Sequence, residues 1–495
     1  MLRVVVSQLY SYVDWDDDGV VAGDPWRACL ACKGSPDPRR PCARCMSCGV
    51  ERGPPLPMGL RSSLSVVVIG AGIGGAALCL ALQQRGVSVQ CFERDADVSV
   101  RHQGYGLTMQ QGALTLARLG VHVAGSKSSS NFSFLPNGTV LGCFGRGLYE
   151  AAGVSPPPPK RDDRLGAAVS HKLRNNTQLP RQRLRKELLN RLQPGVVQWG
   201  ERLLALEEHA GDGVDVVLAS GRRVRAHCVV GADGIYSTVR RLKLGDALRP
   251  LGVAVVLGMA PCEHPLVRER ITQTLDGAVR MYTMPFCDPE DEDGAFAGLR
   301  VTMWQLSFLL PPGHAPLPAS GEALKDLALE RIGTWHAPLP QLVRDTDAAL
   351  VTGYAALDRD SVAPDVLRGA PWSRVTVLGD AAHPMSPFKG QGANQALVDA
   401  LALARELAGI GGAQAEVPRA LAAFEADMLV RAGRKAEQSR DAALFLHSPA
   451  ALAPGNCVRS LVHVASNAPR PSRAVLSNDD VARAAAAVER LARVA

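Results

Sequence analysis

The clearest hydrophobic pattern in the chain is a short β-branched run, Val66–Ile69, that stops at Gly70. Consecutive apolar residues bounded by glycine predict a strand buried on both faces, as in a parallel sheet. An Ala/Leu-rich helix is predicted next over Ala76–Gln84, then a second strand over Val87–Phe92 that ends at Glu93. Gln111–Leu119 reads as a helix. Arg181–Leu192 puts Leu184, Leu188, Leu189 and Leu192 on one helical face and charges on the other. Strand-like pieces follow at Val196–Trp199, Val214–Leu218, Arg223–Ala226 and Cys228–Gly231. Residues 250–310 alternate as an antiparallel sheet does, over Leu251–Met259, Ala278–Pro285 and Leu299–Phe308. Helical patterning returns over 322–350. Val375–Leu378 is another buried strand, with a long helix to Leu407 behind it. Amphipathic helices close the chain at about Val417–Leu446 and Asp479–Val494. Strands alternating with helices around an antiparallel block predict an α/β protein with an α+β part.

The glycines after the first strand have distinct uses. Gly70 permits the tight turn, Gly72 lets backbone approach a pyrophosphate, and Gly75 lets helix and strand pack closely. Ile73 lies between Gly72 and Gly75, ahead of the helix whose N-terminus faces the phosphates. Glu93 sits where an acid accepts hydrogen bonds from a ribose. Strand, glycine turn, helix, strand and terminal acid together form a dinucleotide-binding signature. Two further corners pair glycine with a carboxylate: Asp233 and Gly234 after Cys228–Gly231, and Gly379 and Asp380 after Val375–Leu378. An acid at the carboxyl end of a parallel strand opens into the crevice where such sheets bind ligands, and Asp380 is placed to hold a polyol hydroxyl. Beyond Pro384–Pro387, residues Gly390, Gly392, Ala393 and Asn394 open the long helix. Unpaired N–H groups and a partial positive charge there favour an electron-rich ring oxygen or an anion.

Composition narrows the field. A charged fraction of 21% and an apolar fraction of 46% are those of an ordinary globular chain. The net charge of +7 is not gathered into a stripe, which argues against nucleic acid and suits anionic cofactors. The longest apolar run, Val66–Leu82, contains the dinucleotide glycines, so no transmembrane span is expected. The early acids Asp14, Asp16, Asp17 and Asp18 are unlike a signal or transit peptide and favour a cytoplasmic location. Residues 1–63 read as a Cys/Pro-rich leader. Within it Cys29, Cys32, Cys42 and Cys45 could clamp one Zn2+, but the short central loop and the leftover Cys48 favour a metal-free, disordered segment.

GAGIGG with Glu93 and Arg94, GADGIYSTVR, and GDAAHPMSPFKGQGANQALVDA resemble, in that order, the three fingerprints of single-component FAD monooxygenases of the p-hydroxybenzoate hydroxylase type. The resemblance covers about residues 64–447, and its third segment is similar to tetracycline-inactivating and salicylate-hydroxylating members. It implies a Rossmann-like FAD-binding domain of three-layer ββα organisation, discontinuous over 64–125, 180–245 and 370–425. A substrate domain would take 126–179 and 246–369, with C-terminal helices over 426–495. It further implies that Gly70, Gly72, Ile73 and Gly75 meet the FAD pyrophosphate, Glu93 the ribose and Arg94 the adenosine side. Arg181 matches the arginine that reaches the cofactor, with Arg183 as the alternative. Asp233 serves FAD pyrophosphate and transient NAD(P)H, Gly379 and Asp380 the ribitol. Pro387, Gly390, Gly392, Ala393 and Asn394 lie along the isoalloxazine.

The implied chemistry is reduction of FAD by NAD(P)H, addition of O2 at flavin C4a, and delivery of one oxygen to a small aromatic or polycyclic substrate. His383 reads either as a base near the ring or, preferably, as a hydrogen-bonded turn residue, because the flavin carries the hard chemistry. Lys389 points either at the flavin or outward. Tyr282, Met284, Trp304 and Phe308 are candidate pocket residues, some of which alternation must turn to the opposite face. The alternatives are a non-hydroxylating FAD oxidoreductase of the same fold and a non-catalytic flavin-bound interaction protein. The substrate, the choice between NADH and NADPH, and the oligomeric state are not encoded in these motifs.

Overall fold

The computed structural model describes residues 63–100, 106–145 except 129, 161–162, 167–168, 176–453 except 210, 212, 269, 290–295 and 370, and 478–493. The expected leader, including its cysteine cluster, lies outside them apart from Ser63.

Five parallel strands form the central sheet: β1 (Ser65–Ile69), β2 (Ser88–Glu93), β3 (Val197–Trp199), β4 (Cys228–Gly231) and β5 (Val375–Val377), in the order β3-β2-β1-β4-β5. β4 and β5 are buried at every residue, as a parallel strand covered on both faces must be. The ladder continues past the strands into the glycine corners. Gly70 N–H donates to the Phe92 carbonyl (2.8 Å), Ala232 N–H to Ile69 (2.8 Å) and Leu378 N–H to Gly231 (2.9 Å). The corners are therefore stitched to one another by the sheet that ends in them.

Four helices frame the site: α1 (Ile73–Gln83), α2 (Arg181–Leu189), α3 (Gly392–Gly409) and α4 (Val417–Phe445). α1 and α3 meet closely, because a Cβ at Gly74 would stand 2.8 Å from the Leu378 side chain and 3.3 Å from Ala396. A three-stranded antiparallel sheet (Leu203–His209, Gly213–Leu218, Arg223–Ala226) packs Leu206, Val214, Val216 and Leu218 on the same core. The predicted α/β class holds, with helix, parallel sheet and antiparallel sheet in contact. The helical patterning over 322–350 resolves into two helices, Gly321–Ile332 and Leu339–Arg344. Pro338, at the start of the second, and Pro340, in its first turn, lack the N–H that a continuing helix needs. α4 runs unbroken through 425–426, where the sequence suggested a boundary.

A second sheet of seven strands runs in the order Thr352–Asp358, Arg249–Pro261, Val301–Leu309, Val279–Cys287, Arg270–Leu275, Ser130–Phe134, Val140–Gly145. Its pairs are antiparallel except Arg270–Leu275 with Ser130–Phe134. Register separates its two faces, since Thr283 pairs Trp304 while Tyr282 pairs Gln305 and Met284 pairs Met303. Trp304 and Phe308 thus lie with Met281 and Leu306 under helix Gly321–Ile332, against Leu324, Ala328 and Ile332. Trp304 Nε1 donates to Thr346 Oγ1 (2.7 Å) and Arg331 stacks on Phe308 at 4.0 Å. Both are core residues, not pocket residues. Tyr282 and Met284 share the other face with Arg280, Met303 and Gln305. That face meets strand Gly106–Met109, where Gly106 N–H donates to Met303 Sδ (3.1 Å). A Cβ on Gly106 would come within 2.5 Å of Met284.

Candidate functional site

At the first corner the glycines divide as their chemistry requires. Gly70 has φ +103° and a Cβ there would lie 2.6 Å from the Ala232 carbonyl. A Cβ at Gly75 would lie 1.9 Å from the Gly70 carbonyl. Only at Gly72 would an added Cβ meet nothing within 4 Å. Two glycines are thus demanded by the protein's own packing, and the third faces open space at the start of α1. That fits a backbone cradle for a phosphate group.

Glu93, at the end of β2, is buried and turned into this corner. Its Oε2 accepts from Ala71 N–H (2.8 Å) and its Oε1 from Asp95 N–H (3.1 Å). Arg185 of α2, which the sequence reading passed over in favour of Arg181 and Arg183, is the arginine buried against the turn. Its Nε donates to the Ala71 carbonyl (2.9 Å), and its guanidinium lies 3.9 Å from Glu93 and 5.6 Å above the Trp199 ring. Arg183 donates outward to the Ala124 carbonyl (3.3 Å). Arg181 is the first residue of α2, half-buried. Arg94 follows Glu93 on the exposed side.

The second corner abuts the first, since the Asp233 Cα would be 2.9 Å from a Cβ on Gly70. Asp233 accepts from Ser237 Oγ (2.5 Å) and from the N–H groups of Thr238 (2.6 Å) and Val239 (3.3 Å). Its side chain caps helix Thr238–Leu244 and shapes the corner from within. Burial lifts its pKa; the Ser237 hydroxyl and the helix N–H groups pull the other way. Arg240, fully buried in that helix, donates to the Ala382 carbonyl and so ties the second corner to the third.

At the third corner Gly379 takes φ +58°, and Asp380 Oδ1 would stand 3.6 Å from a Cβ on Gly392. His383 is buried and turned toward α3. Its Nε2 lies 2.6 Å from Asp399 Oδ2, which also accepts Gly379 N–H (3.0 Å). Asp399 Oδ1 accepts from Arg431 of α4 (3.0 Å). Burial would raise the Asp399 pKa, but His383, Arg431 and the Gly379 N–H outweigh it and hold the carboxyl below its ordinary range. Asp399 was not singled out in the sequence; the available signal was a lone carboxylate inside the apolar stretch ALVDALALA.

The Asn394 side chain is fully committed. Oδ1 accepts from the N–H groups of Gln110 (2.8 Å) and Gly112 (3.0 Å), and Nδ2 donates to the Thr108 (3.0 Å) and Gly390 (2.9 Å) carbonyls. It fastens the start of α3 to strand Gly106–Met109, and the backbone N–H groups of Gly392, Ala393 and Asn394 lie in the first turn of that helix, where no intrahelical acceptor reaches them. Pro387 opens a single turn, Pro387–Lys389, that Gly390 closes at φ +61°. Phe388 in that turn packs between Arg280 (5.5 Å) and His447 (5.4 Å). Lys389 points away, its Nζ 3.3 Å from Gln438 of α4.

The chain matches the FAD binding domain family over residues 63–253 and 358–437, more than half its length and all three corners. The chain belongs to this family. It is an FAD-dependent monooxygenase, an oxidoreductase. The flavoprotein is 29% identical to aurachin C monooxygenase/isomerase from Stigmatella aurantiaca, over 75% of this chain and 87% of that one. It is 28% identical to 3-amino-4-hydroxybenzoate 2-monooxygenase from Streptomyces cremeus, over 78% and 88%. Its fold overlays 2,6-dihydroxypyridine-3-hydroxylase from Arthrobacter nicotinovorans with a TM-score of 0.64 at 18% identity, covering 81% and 97%. Among the described residues of this monooxygenase no helix is long and apolar enough to cross a membrane. Glu207, His209 and Asp215 lie close enough to share a metal ion. Asp215, however, already pairs with Arg225 (2.7 and 2.9 Å), so this surface group reads as ion-paired.

Proposed function

We propose that the enzyme uses NAD(P)H and O2 to hydroxylate a small aromatic substrate that lies between the flavin site and the seven-stranded sheet. The observation that carries this reading is the convergence of the three glycine–carboxylate corners on one another, with open space kept at Gly72 in the first of them. In this reading Gly70, Gly72, Ile73 and Gly75 hold the FAD pyrophosphate. Glu93 takes the adenosine ribose, Arg94 lies on the adenosine side, Arg181 reaches the cofactor, and Asp233 shapes the corner that serves the FAD pyrophosphate and also receives NAD(P)H. Gly379 and Asp380 hold the ribitol. Gly390 and the N–H groups of Gly392, Ala393 and Asn394 face the ring, with Pro387 along it. Bound FAD supplies the redox and oxygen-transfer chemistry.

The protein's own part is to orient substrate and exclude water. Arg280, Tyr282, Met303 and Gln305 present a mixed face of one cation, two polar groups and a thioether toward Gly106–Gln110. Arg280 is buried, stacked on Tyr282 at 4.8 Å, and bonded through Nε to Gln273 Oε1 (2.9 Å). Such a face suits an aromatic ring bearing an acidic or phenolic oxygen. Relatives named for 3-amino-4-hydroxybenzoate and 2,6-dihydroxypyridine act on rings of this kind. His383 acts by holding Asp399 and the third corner in place, not as a base.

The test is direct. The purified protein should be yellow with near-stoichiometric flavin, and a panel of hydroxybenzoates, hydroxypyridines and quinolones should stimulate NADH or NADPH oxidation with O2 uptake. Product formed under 18O2 should carry one label. Equal turnover without oxygen would reassign it as a non-hydroxylating oxidoreductase.

A further inference from the structure

Arg185 lies outside the three fingerprints, yet it is 5% exposed and holds two parts of the first corner at once. The two peptide units that flank the Ala71 Cα are each engaged. The Ala71 N–H donates to Glu93 Oε2 (2.8 Å) and the Ala71 carbonyl accepts from Arg185 Nε (2.9 Å). Rotation of the Gly70–Ala71 peptide would break the bond to Glu93, and rotation of the Ala71–Gly72 peptide would break the bond to Arg185. The second of these units carries the Gly72 N–H, so the Arg185 bond sets where that group points. The same guanidinium stands 3.9 Å from Glu93 and rests on the Trp199 ring from β3, so α2, β3, the glycine turn and the acid share one fixed frame. A buried carboxylate facing a buried guanidinium keeps its geometry only while both remain.

We infer that Arg185 is a positioning residue for the adenosine-diphosphate end of the cofactor. It acts through Ala71 and Glu93 and makes no contact with the nucleotide itself. This rests on the FAD reading of the site. A carboxylate pre-set by Ala71 and Arg185 receives the two ribose hydroxyls without first reorganising, so what Arg185 adds is selectivity for an intact ribose diol.

The experiment uses full-length protein stripped of flavin and compares four ligands: FAD, FMN, ADP and 2′,3′-dideoxy-ADP. Wild type should prefer ADP to the dideoxy analogue by roughly tenfold or more, the effect of losing hydrogen bonds to a charged acceptor. In Arg185→Met that preference should fall to within twofold, with FAD and ADP weakened roughly tenfold and FMN unchanged. Arg185→Lys, which keeps the charge but not the fork, should fall between and serves where the methionine variant does not fold. In a Glu93→Gln background Arg185→Met should cause no further loss of the ribose preference. The proposal is overturned if the folded variant keeps the wild-type ADP preference, or if FMN weakens as much as FAD, which marks a merely structural role. A wild type that binds neither FAD nor ADP removes the FAD reading and this inference with it. A wild type that binds FAD while Arg185 variants discriminate normally removes only the inference.

Discussion

At the scale of single residues the glycine turn separates two kinds of requirement that look identical in sequence. Gly75→Ala would drive a methyl to within 1.9 Å of the Gly70 carbonyl, a backbone atom that cannot step aside. We expect a loss of about 3 kcal/mol in urea unfolding of the flavin-free protein. Gly72→Ala points into open space, so its unfolding midpoint should stay within about 0.5 kcal/mol of wild type while FAD affinity falls at least tenfold. Asp399 gives a second contrast. Its folded pKa lies below the unfolded value near 3.9, so its contribution is complete above that pH and is lost as pH falls through the folded pKa. Asp399→Asn should therefore flatten the acid limb of the stability profile below about pH 4. At neutral pH it should cost about 3 kcal/mol, because Arg431 is left facing a neutral amide.

At the scale of elements, α4 matters because it touches both halves of the molecule. Near its start Glu425 accepts from Thr376 of β5 (2.7 Å); near its end Ala442, Ala443 and Leu446 pack with Val253, Val255 and Leu257 of the seven-stranded sheet. His447 caps the contact, with Nδ1 2.5 Å from the Ala443 carbonyl and Nε2 2.9 Å from Ser307 Oγ. A carbonyl only accepts, so Nδ1 carries the proton and Nε2 accepts from the serine in the neutral ring. Burial pushes the His447 pKa down to about 4, with the Arg280 charge adding to it. The unfolded chain takes up this proton first, so stability should rise with pH between about 4 and 6.5, by up to about 3 kcal/mol. His447→Gln should remove most of that slope in pH-dependent thermal melts. This coupling was not legible in the sequence, where His447 is one polar residue at a helix end. The three corners were legible because each is a local pattern: a strand, a glycine and an acid within a few residues. Arg185 and Asp399 were not, since their partners lie 114 and 32 residues away. Nor does alternation say which sheet face is core, so Trp304 and Phe308 stood beside Tyr282 and Met284 until register placed helix Gly321–Ile332 over the first pair.

At the scale of the whole molecule, the proposed hydroxylation depends on closing the site formed by the corners near residues 70, 233 and 380 against a sheet built largely from residues between them. The seal has an identifiable centre. Phe388 belongs to the turn that leads into α3, yet its ring is held by Arg280 from the sheet and by His447 from the end of α4. Three elements from different parts of the chain thus meet on one side chain, which is 7% exposed. Removing the ring in Phe388→Ala leaves a cavity bordered by a guanidinium and an imidazole, a polar space that water enters readily. The corners proposed to hold FAD are untouched, so flavin content and the rate of flavin reduction by NAD(P)H should change by less than twofold. Water admitted beside the ring diverts oxygen from substrate to hydrogen peroxide. The fraction of NAD(P)H oxidised without product should therefore rise several-fold, read as peroxide formed per hydroxylated product. A variant that loses flavin in proportion to its lost coupling would show instead that the Phe388 contact supports the cofactor site itself, and that the two halves are not separable at this ring.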